Sequence, residues 1–218
     1  MNDGPGPDHF LAAAEFVLML RQKGLSDNKV LRAMEQVPRV PFLSPGLFAL
    51  ADDDVALPIA CGQSILAPSL TGSMIEALDV QAHHRVLQIG TGSGYAAAVL
   101  ARLAAQVVTI DRWRTLADQA HIRLRGLGYE TIEVVFGDGM GGHPLRKPFD
   151  RIMATCALPE LSPGLIGQLA PGGIVVAPIG TGQDVEIVRV EAGPTGVASR
   201  SLGKAVIAPA VPGMARRL

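Results

Sequence analysis

Apolar and polar positions change period several times along this chain, and each change marks an element. Near the start, Phe10, Leu11, Ala14, Val17, Leu18 and Leu20 recur at helical spacing, which predicts a helix over 10–23 with that face inward and Gly24 as its stop. Ser26 and Asp27 then cap a second helix predicted for 29–36, ended by Pro38. From 40 to 58 no period holds, because Pro41, Pro45, Gly46 and Pro58 interrupt the apolar residues and Asp52, Asp53 and Asp54 form an acidic cluster. This predicts a long irregular connection, a feature that compact domains usually keep for function. Beyond Pro68 a helix is predicted over 70–78.

After that the pattern becomes regular. Apolar, β-branched runs at 86–89, 106–110, 132–136, 150–154 and 174–179 read as strands, and helical patterns at 96–103, 113–127 and 164–169 fall between them. Strands alternating with helices predict an α/β fold, a Rossmann-like doubly wound sheet that is mostly parallel, with the N-terminal helices attached. Residues 185–190 and 204–207 predict two further strands joined by Gly, Pro and Ser turns, suited to an antiparallel C-terminal edge. The organisation expected is one compact unit, with 1–79 supplying helices and a substrate or lid loop and 80–218 the ligand-binding domain.

Composition narrows the partners. A length of 218 residues gives room for one substantial core, and a formal net charge of −1 offers no lure for nucleic acid or anionic lipid. No basic run exceeds the two residues of Arg216-Arg217. Two cysteines, Cys61 and Cys156, are too few to staple the domain, and neither they nor the five histidines show the spacing of a metal site. The adjacent His83 and His84 read as a solvated turn. Residues 161–183 carry no charge, but Pro163, Pro171, Pro178 and six glycines forbid one membrane-spanning helix. Residues 1–8 lack the basic flank and apolar core of a secretory signal, so a cytoplasmic location is expected.

The stretch with chemical content runs Gln88-Ile89-Gly90-Thr91-Gly92-Ser93-Gly94-Tyr95, a strand entering three alternate glycines and then a helix. Glycine lets the backbone turn sharply and a ligand approach closely, beside the free N–H groups of a helix start. Asp111, twenty-one residues after Gly90, ends the next strand, where a carboxylate either accepts ribose hydroxyls or caps the following helix. Gly137-Asp138-Gly139 ends the third, with Asp138 either a ligand group or a turn residue. A dinucleotide fingerprint would need glycine at the position of Tyr95, and no phosphate-binding G-x-x-x-x-G-K-[ST] run exists. The tighter turn resembles that of S-adenosylmethionine-dependent methyltransferases.

With these residues in hand, the chain resembles the protein-L-isoaspartate (D-aspartate) O-methyltransferases over about 30–180. The likeness is carried by Ala33-Met34, Val37-Pro38-Arg39 and Phe42, then Leu57-Pro58-Ile59 with Gly62-Gln63-Ser64-Ile65 and the glycine turn. Further on it is carried by Gly137-Asp138-Gly139, Pro148-Phe149-Asp150, Gln168-Leu169, Pro171-Gly172-Gly173 and Pro178-Ile179-Gly180. The resemblance implies a class I methyltransferase fold and S-adenosyl-L-methionine as cofactor, with isoaspartyl-containing proteins or peptides as partners. It implies cofactor contacts from Ile65, Leu66, Gln88, Gly90, Thr91, Gly92, Ser93, Gly94, Asp111, Arg112, Gly137, Asp138 and Gly139, and it lays residues 64–68 over the transferred methyl. Three departures stand out: Leu66 occupies the family's functional serine position, Gln88 replaces an acid, and residues 206–210 replace an aromatic residue followed by Val-Pro-Leu. In an extended segment, positions 64 and 66 share a face, so Ser64 either inherits the catalytic orientation of the carboxylate or serves only the loop backbone. The expectation is a reduced but measurable isoaspartyl methyltransferase activity; a different peptide or small-molecule carboxylate as acceptor, and a cofactor-binding module without catalysis, stand as alternatives.

Overall fold

The computed structural model describes residues 7–182, 184–193 and 196–215, with side chains from residue 11 onward. Helix α1 (Pro7–Gln22) leads into α2 (Asn28–Glu35), whose N-cap Asp27 accepts hydrogen bonds from the amides of Lys29 and Val30. The inward face of α1 matches the expected one in part: Leu20 is buried and Val17 packs against the core, but Phe16 is buried instead of Leu11 and Leu18, which are 61% and 55% exposed. Phe16 and Leu20, one helical turn apart, are the buried pair, and Val17 and Met19 pack beside them against the core. Phe10 lies outside the described side chains.

The expected irregular connection is present but locally ordered, as two 3-10 turns at Val40–Phe42 and Pro45–Leu50, each opened by a proline whose missing N–H costs nothing there. It enters a two-stranded antiparallel hairpin, β1 (Leu57–Pro58) and β2 (Ser64–Ile65), and then α3 (Pro68–Leu78). The glycine turn lies between β3 (Arg85–Ile89) and α4 (Tyr95–Ala101). Then follow β4 (Gln106–Asp111), α5 (Arg114–Gly126), β5 (Ile132–Phe136), β6 (Phe149–Ala154) and α6 (Pro163–Ile166). The chain closes with β7 (Leu169–Thr181), β8 (Asp184–Gly193) and β9 (Gly196–Lys204).

The seven main strands run in the order β5-β4-β3-β6-β7-β8-β9, parallel from β5 to β7 and antiparallel from β7 to β9. Two predicted boundaries are corrected. The last strand is Gly196–Lys204 rather than 204–207, and all its described side chains are exposed, so it leaves no alternating signature; its ladder to β8 is supplemented by surface contacts of Ser201 with Glu186 and Lys204 with Asp184. Strand β7 begins at Leu169, within the stretch assigned to a helix, because Ser162 and Pro163 start that helix early and Gly167 stops it. His84 also departs from the solvated turn expected: it is buried, its Nδ1 accepts the Gln81 amide, and burial lowers its pKa.

Alternate residues of the central strands feed two apolar layers. Val86, Val107, Met153 and Val176 join the side chains of α1 to α4 on one face; Leu87, Val108, Ile152 and Val175 join Leu158 and Leu165 on the other. Burial on both faces explains why the strand sequences read as continuous apolar runs. The strand order reverses between β3 and β6, each hydrogen-bonded to the other, and that point organises the site.

Candidate functional site

Beyond the carboxyl ends of β3, β4, β5 and β6 lies a cleft of about 690 Å³, part of it open to solvent. Its walls include Ser64, Leu66, Ile89, Gly90, Gly92, Ile110, Asp111, Arg112, Asp138 and Gly139. A smaller lobe of about 310 Å³ continues from it under the glycine turn, bounded by Ser64, Ile65, Leu66, Gln88, Gly90, Thr91, Gly92 and Ser93. Of the residues implicated from sequence, Gly94 and Gly137 alone line neither lobe and shape the backbone behind it.

The turn is held from within the sheet. Gly90 and Gly94 have φ of 88° and 93°, a region that side chains disfavour, and a Cβ at Gly90 would sit 2.7 Å from the Thr155 hydroxyl oxygen. That hydroxyl donates to the Gly90 carbonyl at 2.7 Å, and the amide of Gln88 donates to the same carbonyl at 2.9 Å. The Gln88 oxygen accepts from Thr109, its neighbour across the β3–β4 ladder, and Thr109 shares a hydrogen bond with Thr91. The fully buried chain is thus satisfied without a charge. An acid at position 88 would lack the donor that now reaches Gly90.

Asp111 is tied to the backbone on two sides and borders the cleft. Its oxygens accept the amides of Gly92 at 2.8 Å and Trp113 at 2.9 Å, fixing the turn and the start of α5, and it also lines the cleft. Each carboxylate oxygen keeps a second acceptor site. Burial raises its pKa above the usual carboxylate value, opposed by those two amides and by Arg112. Asp138 is exposed at the rim, with one oxygen on the Met140 amide and the other on the Gly213 amide at 2.7 Å.

That last contact belongs to an unforeseen element. Residues 208–215 form a strap: Ala208 and Ala210 exchange backbone hydrogen bonds with Ala157 past the end of β6, and Ala215 does so with Arg112 and Arg114 past the end of β4. Between those anchors Arg112 Nε donates to the Gly213 carbonyl, and Ala208, Pro209, Ala210 and Val211 wall the cleft. Nothing in its composition announces this. Thr155, Cys156, Trp113 and Met140 were also missed, although the rule that ligands gather at strand carboxyl ends selects Thr155 and Cys156 beyond β6. Burial pushes the Cys156 thiol up to about 12, so it stays protonated and a poor nucleophile.

Ser64 is exposed and Leu66 is buried, yet both reach both lobes of the cleft. Under this segment lies Arg39, 2% exposed, whose Nη1 donates to the carbonyls of Ala51 and Asp53 and whose Nη2 donates to those of Val55 and Leu66. Burial lowers its pKa, opposed by Tyr95 and by the acidic cluster Asp52, Asp53 and Asp54. The guanidinium stands 6.0 Å from the centre of the Tyr95 ring, which meets Phe42 edge-on.

The pattern matches known proteins over nearly all of its length. Residues 12–211 match the model of the family Protein-L-isoaspartate(D-aspartate) O-methyltransferase. A protein-L-isoaspartate O-methyltransferase of Xanthobacter autotrophicus is 48% identical over 204 residues, 93% of either chain. One from Azorhizobium caulinodans is 52% identical over 176 residues, 81% of either chain. Among solved structures, a protein-L-isoaspartate O-methyltransferase superposes with a TM-score of 0.83 at 24% identity, covering 93% of this chain and 67% of the other. A Plasmodium falciparum protein in complex with S-adenosyl-L-homocysteine gives 0.77 at 18%, covering 90% and 97%. At those identities the two structures speak for the fold alone.

Proposed function

The chain belongs to the protein-L-isoaspartate (D-aspartate) O-methyltransferase family, and on that premise we propose that its cleft esterifies the free carboxylate of L-isoaspartyl residues, with Ser64 orienting the acceptor. The observation that carries the reading is the convergence of the glycine turn, Asp111 and residues 64–66 on one connected cleft at the strand reversal. S-adenosyl-L-methionine is the family's methyl donor, and the residues present suit it. Asp111 offers two acceptor oxygens for a ribose, and Ile89, Ile110, Trp113, Leu116 and Met140 offer apolar walls for a base. Hydroxyls of Thr91, Ser93 and Thr155 surround the smaller lobe, which suits the polar amino-acid end. Ile65, Leu66, Gln88, Gly90, Gly92, Arg112, Asp138 and Gly139 complete the proposed contacts, with Gly94 and Gly137 shaping the backbone. No described helix is long and apolar enough to cross a membrane.

The cofactor supplies a sulfonium-bound methyl; a carbon–oxygen bond forms as the carbon–sulfur bond breaks. The acceptor carboxylate, with an ordinary pKa of about 4, is already ionised at neutral pH, so this chain needs no general base. Its work is placement and exclusion of water. Two opposite charges cancel as the methyl moves, and a dry wall such as Leu66, 8% exposed, favours that transition state over two hydrated ions. Ser64 holds the oxygen in line by donating a hydrogen bond.

Incubation with methyl-tritiated cofactor and an isoaspartyl peptide, beside the same peptide containing ordinary aspartate, tests the reading. Label above background on the isoaspartyl peptide is expected; equal background on both would end it. Within the active enzyme, Ser64→Ala is expected to lower kcat/KM about ten- to a hundredfold, the worth of one hydrogen bond to a charged group. Leu66→Ser, restoring the family hydroxyl, is expected to raise it, because a hydrogen bond to the carboxylate outweighs the loss of one apolar wall. An unchanged rate in Ser64→Ala would remove that residue from the chemistry.

A further inference from the structure

Beneath the cleft a single buried side chain gathers several backbone segments. Arg39 is a buried cation with no ion-pair partner among the described residues, and its two terminal nitrogens are spent on four backbone carbonyls. Three of those, Ala51, Asp53 and Val55, lie on the irregular connection, and the fourth is Leu66 at the cleft wall. The same guanidinium lies near the ring of Tyr95, the residue that follows the glycine turn. A second tie runs in parallel: Asp54 accepts the amide and hydroxyl of Ser69 in the first turn of α3, just beyond the cleft segment.

Burying a guanidinium with no carboxylate in direct contact is costly, and a fold that needed only to fill this space has cheaper apolar side chains available. What the planar fork provides is direction. Its donors are fixed relative to one another, so carbonyls bound to both nitrogens are fixed as well. Loop carbonyls at 51, 53 and 55 and the carbonyl at 66 therefore share one rigid reference beneath the cleft.

We propose that Arg39 is a positioning residue for methyl transfer, acting through the Leu66 carbonyl to set residues 64–66 against the glycine turn and to make the 51–55 loop move with them. This rests on the function proposed above, and the two fail separately. Without isoaspartyl labelling by the unaltered protein the function falls; with it, the outcome for Arg39 is read on its own.

The variant is Arg39→Lys, which keeps the charge but offers one point of donation in place of the fork. Binding-competent sites are counted by calorimetric titration with S-adenosylhomocysteine, and kcat/KM for the isoaspartyl peptide is expressed per competent site. A fall of about tenfold or more per site is expected, since small misplacements of reacting groups cost at least that much. A residue that merely supports folding would lower the melting temperature or the number of sites and leave the per-site value unchanged, and that result overturns the proposal. Hydrogen exchange on the unaltered protein gives a second test that does not depend on the variant folding. Amides of 51–55 and 64–66 are expected to open with one shared free energy, and two distinct opening free energies would overturn the coupling.

Discussion

Asp111 joins the turn, the start of α5 and the cleft in one carboxylate, and its burial gives it a measurable signature. Its pKa lies above the ordinary carboxylate value, and only the ionised form has both oxygens free to accept. Affinity for S-adenosylhomocysteine is therefore expected to be full well above that pKa and to fall as the pH drops through it, at a pH higher than about 4. Calorimetry across mildly acidic buffers checks the sign. Asp111→Asn should weaken binding by about tenfold or more at neutral pH, because its amide nitrogen would face the amide of Gly92 or Trp113. The importance of this residue was legible from its distance to Gly90, whereas its simultaneous use by two backbone amides was not. The roles of Arg39 and Thr155 escaped for a related reason: their partners are carbonyls remote in sequence, and backbone atoms carry no residue identity to read.

At the scale of elements, boundaries followed wherever a local group closes the backbone. Asp27 caps α2 as expected, and its amide together with Ser26 also meets Glu76 of α3, so the cap fixes where two helices cross. Asp27→Ala is expected to cost about 1 kcal/mol of stability, read as a lower urea midpoint. Methyl transfer should be unchanged, since the residue is remote from both lobes of the cleft. Prediction failed where an element owes its existence to a neighbour. Helix α1 has more apolar positions than its partners can cover, so packing chose Phe16 and Leu20. Strand β9 has no buried described side chain and is held by its ladder to β8.

For the whole molecule, the least foreseeable part is the strap that crosses from the end of β6 to the end of β4. It contributes four wall residues and ties its Gly213 to Asp138 and Arg112. Removing residues 208–218 is expected to leave the sheet folded by circular dichroism and to weaken S-adenosylhomocysteine binding by at least about tenfold, or about 1.4 kcal/mol. Unchanged affinity would make the strap a cover without influence on the site. Sequence alone determined the alternation of strands and helices, the glycine turn with its two acidic neighbours, and the family, because each rests on short-range period, on φ values only glycine tolerates easily, or on many motifs in fixed order. Tertiary structure decided which face of α1 is buried, how Arg39 gathers two loops, and where the tail returns. Those depend on contacts between residues tens of positions apart, formed largely through backbone atoms that are alike in every residue.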